Sequence, residues 1–191
     1  MVPHWTIHAA GIYSTNGGDI VTDYVVSSYT PTLKALLTHP SSRSTASTNP
    51  FKMLVVIQPE TKGQSPLPHA ADKLLRIAEH VPSKCLVKLG TPDAPAFVQT
   101  VLSHLSTSSI VHLACHGLQN TNHPLDSALV LEDGQKSKVT RIMEDFTPNA
   151  SLAFLSACQT ATGDENLPDE AIHIATSLLF AGFRGVVATM W

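Results

Sequence analysis

The feature that most constrains the fold is an alternation of buried strands with amphipathic helices, which begins after residue 50. Residues 51–59 form a continuous apolar run closed by Pro59, as is typical of a strand buried on both faces. Residues 68–81 then carry apolar side chains at helical spacing, and residues 84–90 predict a second strand. Such an alternation indicates βαβ crossovers, and therefore a mostly parallel sheet with helices on both faces.

The alternation continues to the last residue. The further predicted elements are a helix capped by Asp93 and running to Leu105, a strand over 109–117, a strand over 151–160, a helix over 169–182 and a strand over 185–191. Residues 128–134 predict one arm of a small hairpin inserted at the strand ends. Upstream of residue 50, short apolar segments around 7–13 and 24–29 predict a hairpin or irregular strands.

The length of 191 residues suits one α/β domain, which we expect to span residues 1–191. Residues 38–50 are rich in Ser, Thr and Pro and predict a flexible loop. The chain stops inside an apolar run at Trp191, and a bare buried strand would leave its sheet edge unprotected. We therefore expect the domain to be incomplete at its C-terminus.

Composition excludes several functional classes. The net charge of −3 and the absence of any Lys/Arg cluster argue against nucleic-acid binding. The apolar runs are too short to span a bilayer, and the N-terminus lacks the pattern of a signal peptide, so we expect a soluble protein without a membrane partner. Three cysteines at irregular spacing predict reduced thiols in the cytoplasm.

Two reactive residues, His116 and Cys158, stand where predicted strands end. In open parallel sheets, ligands bind at the carboxyl ends of the strands, and neighbouring strands lie about 4.8 Å apart. We therefore expect the imidazole and the thiol to share one cleft, as a cysteine nucleophile requires. The glycine after the histidine, Gly117, would let the backbone turn tightly. Its N–H and that of Cys158 would then form an oxyanion hole.

Two stretches carry a family resemblance: HLACHG (112–117) and LSACQTATG (155–163). They resemble the His-Gly and Ala-Cys blocks of CHAT domains, which belong to the caspase/separase group of cysteine proteases. Residues 3–13, 27–37 and 171–191 also resemble this family, so the resemblance covers nearly the whole chain. It implies a three-layer caspase-like fold with a mostly parallel central sheet. In this fold Cys158 would attack the scissile carbonyl and His116 would protonate the leaving amine.

The caspase signature Q-A-C-[RQG]-G is matched only in its middle. Ser156 stands where the signature has Gln, and Thr160 where it has Gly. These departures argue against a true caspase and leave a specificity for aspartate without support. No third residue that orients the imidazole can be assigned from the sequence.

Three residues are candidates for binding substrate: Gln159, Asp164 and His123. Residues 164–170 form the densest acidic stretch, and we hypothesise that Asp164 favours a basic residue before the scissile bond. The alternative is that Asp169 and Glu170 only cap the next helix.

Residue spacing argues against a metal site. His112 and His116 would lie about 13 Å apart along one strand, too far for a shared zinc ion. We interpret Cys85 and Cys115 as small buried hydrophobic residues. We expect neither a metal nor a cofactor.

The leading hypothesis is a cysteine endopeptidase that acts on a protein or peptide. The resemblance implies the effector domain of a larger signalling protein, with helical repeats (often tetratricopeptide-like) or another sensor domain upstream. A non-catalytic interaction or oligomerisation module is the first alternative. Another thiol enzyme, such as an acyl transferase, is the second.

Overall fold

The computed structural model of the protein describes residues 10–14, 18–26, 50–120, 122–144, 150–156 and 174–188. Contacts divide the chain into two compact units, Met1–Leu36 and Leu37–Trp191. In the first unit, β1 (Gly11–Ile12) pairs antiparallel with β2 (Asp19–Ile20). A hairpin is therefore present, but its second strand precedes the predicted segment 24–29, whose described residues follow a short 3-10 turn.

The described part of the second unit contains eight strands and four α-helices. The strands are β3 (Met53–Ile57), β4 (Leu86–Leu89), β5 (Ile110–Ala114), β6 (His116–Leu118), β7 (Ala128–Val130), β8 (Lys136–Lys138), β9 (Leu152–Leu155) and β10 (Gly185–Ala188). The helices are α1 (Ala70–His80), α2 (Val98–Leu105), α3 (Val139–Glu144) and α4 (Ile174–Phe180). In this part of the chain no helix is long and apolar enough to cross a membrane.

Five strands form a parallel sheet in the order β10-β9-β5-β3-β4. Because side chains alternate along a strand, β3 presents Val55 and Ile57 to α1, while Leu54 and Val56 enter a larger core on the opposite face. Side chains of α2, α3 and α4 belong to that larger core. The sequence-based prediction of a three-layer α/β fold with a mostly parallel sheet is confirmed.

The predicted strand 109–117 is wrong as a single element, because the chain bends at Cys115. β5 ends at Ala114, whose carbonyl oxygen accepts a hydrogen bond from the Gln58 N–H at 2.9 Å. β6 then enters a second, antiparallel sheet of order β6-β7-β8. Residues on both sides of the bend are buried, so the apolar run continues through it and hides it from the sequence pattern. The predicted hairpin arm within 128–134 is confirmed by β7.

The second predicted helix begins later than expected, at Val98 rather than next to Asp93. Pro95 disfavours helical backbone at Ala94, the residue before it. Ala94 instead forms a turn, in which its N–H donates to the Thr91 carbonyl at 3.0 Å. α3 was not predicted at all. The other predicted strands and helices are present within the described ranges, and of the predicted loop 38–50 these ranges include only Pro50.

Candidate active site

His116 is the first residue of β6, and its partner across the small sheet is Val130. It is therefore not on a strand of the parallel sheet, which corrects the sequence-based expectation. It follows the last residue of β5 by two positions, so it still lies just beyond the carboxyl end of that strand. The residue is 5% exposed. The bend at Cys115 and the pairing with β7 thus fix the backbone of His116, which carries the imidazole.

The imidazole of His116 has a main-chain partner that the sequence did not reveal. Its Nε2 lies 2.7 Å from the carbonyl oxygen of Ser65. A carbonyl oxygen can only accept a hydrogen bond, so Nε2 must carry the proton. In the neutral ring Nδ1 then has the free lone pair, and it is the nitrogen able to accept a proton.

The segment that presents the Ser65 carbonyl is braced by its own backbone. The Gln64 N–H donates to the Thr61 carbonyl at 3.0 Å, and the Leu67 N–H donates to the Pro59 carbonyl at 2.8 Å. Pro66 also restricts the backbone of Ser65 to extended conformations. This loop between β3 and α1 is therefore a defined support for the imidazole.

Cys158, Gln159 and Asp164 lie outside the described residues, but the strand that leads to the cysteine is described. Leu113 of β5 pairs with Leu155 of β9, and the Ser156 N–H continues the ladder by donating to the Leu113 carbonyl at 2.8 Å. His116 and Cys158 each follow a member of this registered pair by three positions in the sequence. The two neighbouring strands thus run toward the same edge of the sheet in matched register.

Gly117 is a buried residue in the middle of β6, where it faces Leu129. It does not have a positive φ, so the expected tight turn at this glycine is wrong. The turn falls at Cys115 instead. The role of the Gly117 N–H in an oxyanion hole remains a prediction.

A pocket of about 140 Å³ adjoins these strand ends on the α1 side of the sheet. It is lined by residues 67–70, Lys73, Ala114 and Ser156. Lys73 comes from the first turn of α1, and its Nζ donates a hydrogen bond to the Ser156 hydroxyl. The pocket therefore joins the ends of β5 and β9 to the segment that follows Ser65.

The sequence model described as "CHAT domain" matches residues 5–191. The chain belongs to the CHAT family. This family is caspase-like, in agreement with the parallel sheet flanked by helices. No curated protein matches the chain.

The CHAT domain also buries a histidine that the sequence analysis left without a catalytic role, His112 of β5. Its ring stacks on Phe154 of β9, with centroids 5.1 Å apart and planes within 7°. Burial, followed by the positive charge of Lys73, lowers the pKa of His112 to about 4. Its Nε2 has no hydrogen-bond partner among the described residues. The ring is therefore neutral above about pH 4.

The remaining candidates differ in exposure. Cys115 belongs to the core as predicted, and burial raises the pKa of its thiol to about 12. Cys85 is only half buried, which corrects its interpretation as a core residue. His123 is exposed in the connection between β6 and β7, where its N–H donates to the Asn120 side-chain oxygen at 3.0 Å, and it does not line the pocket.

Groups of three or more His, Cys, Asp or Glu residues able to hold a metal ion do not occur among the described residues.

Proposed function

We propose that this CHAT domain is a cysteine endopeptidase in which His116 and Cys158 form the catalytic pair. The observation that carries the proposal is the hydrogen bond from His116 Nε2 to the Ser65 carbonyl. It fixes the ring orientation and the tautomer, as a catalytic imidazole requires. The matched register of β5 and β9 supports Cys158 as the thiol that meets Nδ1.

The proposed reaction uses these groups in two steps. The Cys158 sulfur, as a thiolate, attacks the scissile carbonyl carbon, and the Nδ1-protonated His116 gives its proton to the leaving amine as the C–N bond breaks. Neutral His116 then accepts a proton from water as the water attacks the thioester, and collapse of the intermediate releases the acid product and regenerates the Cys158 thiolate beside the protonated imidazole. During both steps the Ser65 carbonyl stabilises the imidazolium through the Nε2–H bond.

The negative oxygen of the tetrahedral intermediate needs hydrogen-bond donors. The backbone N–H groups of Gly117 and Cys158 are the proposed donors, since each belongs to a residue at or next to the catalytic pair. Gln159, Asp164 and His123 are proposed to border the substrate. The substrate is a protein or peptide.

We further propose that the domain is the effector part of a longer cytoplasmic protein. Upstream helical repeats or another sensor domain would control its activity, a step that rests on family analogy alone.

The test is cleavage of an unfolded, fluorescently labelled protein by the full-length protein and its variants. Cys158→Ala is expected to abolish cleavage, and His116→Ala to lower it by about 10²–10⁴-fold, the usual contribution of a general acid or base. Cys85→Ala and His80→Ala are matched controls, because the half-buried Cys85 and the exposed His80 lie outside the site. Both controls should retain wild-type rates.

A second measurement covers the case in which the activating signal is missing. A peptidyl chloromethyl ketone should form a covalent adduct at Cys158, and His116→Ala should slow its formation. Cleavage that persists in Cys158→Ala would refute the mechanism. The absence of both cleavage and adduct in every preparation would favour the interaction module instead.

A further inference from the structure

The pocket beside α1 is lined by residues that closely precede each member of the proposed catalytic pair in the sequence. Ala114 precedes His116 by two residues, and Ser156 precedes Cys158 by two residues. The opposite wall begins at Leu67, two residues after the Ser65 that holds the imidazole. A substrate side chain next to the scissile bond would therefore have this pocket within reach.

The size of the pocket fits one side chain. Its volume of about 140 Å³ is below the roughly 300–1,000 Å³ of sites that enclose a drug-sized ligand. It is nevertheless several times the roughly 30 Å³ occupied by one water molecule. The pocket is thus suited to a short side chain and not to a cofactor.

The charge of the pocket comes from one residue, Lys73. Its ammonium group donates to Ser156 and lies close enough to His112 to contribute to the lowered pKa of that ring. The other ionisable lining residue, His69, is exposed, and its ring lies 3.7 Å from the Asp72 carboxylate. The described lining contains no carboxylate.

We propose that Lys73 is a specificity-determining residue, which selects an aspartate or glutamate side chain for the position before the scissile bond. The carboxylate would take the place of the Ser156 hydroxyl as the acceptor for the ammonium group. In a largely apolar pocket, an ammonium–carboxylate bond between two opposite charges is stronger than the ammonium–hydroxyl bond it replaces. A basic side chain would meet a like charge there and be excluded.

This inference rests on the proposed function and opposes the hypothesis that Asp164 favours a basic residue. It does not depend on the caspase signature, which the sequence matches only in its middle. It follows from a lysine on α1, a position that the strand-end blocks do not include.

The experiment measures peptide binding by the full-length protein carrying Cys158→Ala, so that no turnover is needed. Three labelled peptides that differ only in having Glu, Gln or Lys before the scissile bond are compared by fluorescence anisotropy. We expect the Glu peptide to bind about tenfold more tightly than the Gln peptide, and the Lys peptide most weakly. In the Cys158→Ala protein, a second substitution, Lys73→Met, should reduce the preference for the Glu peptide to less than about twofold. Lys73→Glu in its place should reverse the order of the three affinities.

Arg76→Met is the matched control, because Arg76 lies one turn further along α1, is exposed and does not line the pocket. It should keep the Glu preference. Thermal unfolding of each variant shows whether the fold is retained. Equal binding of the three peptides, a Glu preference that survives Lys73→Met, or no binding of any peptide would overturn the inference.

The two proposals fail in different ways. A Glu preference that depends on Lys73, together with neither cleavage nor chloromethyl ketone adduct in the catalytically intact protein, would refute the endopeptidase and leave the pocket assignment standing. Cleavage that prefers Arg or Lys peptides would confirm the endopeptidase and overturn the role of Lys73.

Discussion

Acid should destabilise this CHAT domain through a single histidine on β5, His112. His112 is 8% exposed as a residue, its ring is stacked on Phe154, and its buried Nε2 has no partner among the described residues. Protonation would place a charge in this apolar contact, close to the ammonium group of Lys73. Both effects oppose the imidazolium form, which explains the direction of the pKa shift.

The magnitude follows from the pKa of His112, which is lowered from 6.5 to about 4. Between these values the unfolded chain binds the proton and the folded protein does not, so stability rises with pH across this range. The stability that depends on a neutral His112 is fully present above about pH 6.5 and is lost as the pH falls to about 4. At about 1.4 kcal/mol per pH unit the shift corresponds to at most about 3 kcal/mol, and partial solvent access of the ring reduces this.

The assay is urea unfolding at several pH values between 4 and 8, with wild type compared with His112→Phe. Phenylalanine can stack on Phe154 in the same way, without a buried nitrogen or a titrating group. On going from pH 7 to pH 4, the free energy of unfolding of wild type should decrease by about 2–3 kcal/mol more than that of His112→Phe. His80→Phe, at the exposed end of α1, is the control and should follow the wild-type pH profile. Parallel profiles for wild type and His112→Phe would refute the argument.

Two further predictions concern the backbone after β4 and the cysteines. In urea unfolding, Gly90→Ala should destabilise the protein by at least about 3 kcal/mol and Gly63→Ala by only about 1 kcal/mol. Both glycines have a positive φ, but of the two only Gly90 lies where an added Cβ would overlap a backbone carbonyl oxygen, that of Ile57. Equal losses of stability would contradict this steric explanation. In native protein at pH 8, iodoacetamide should modify Cys158 and spare Cys115, whose pKa of about 12 leaves roughly one thiolate in ten thousand molecules. Mass spectrometry identifies the modified cysteine. Modification of Cys115 with Cys158 left intact would exclude Cys158 as the reactive thiol.

The parallel sheet could be predicted because each of its strands leaves a local signal. β3 is a continuous apolar run bounded by Pro59, and α1 carries its apolar side chains at helical spacing. The order of the strands is not a local property. It follows from which crossovers bury the most apolar surface, so the position of β3 between β4 and β5 had to come from the structure.

The errors have separate physical causes, and the first is that burial does not distinguish between sheets. Cys115 is as buried as its neighbours, so nothing in the apolar run marks the point where the chain leaves one sheet for another. α3 is only six residues long, too short for a clear helical period. The Ser65 carbonyl could not be predicted either, because every residue has a carbonyl and only the path of the chain determines which one faces an imidazole.

The bend at Cys115 gives the proposed catalytic pair two different kinds of support. His116 is fixed by β7 and by the loop after β3, both outside the ladder that joins β5 to β9. Cys158, in contrast, follows β9, a strand of that ladder. The Ser65 carbonyl holds Nε2 of His116 from the loop after β3, so the orientation of the imidazole does not rely on the β5–β9 ladder that leads toward Cys158.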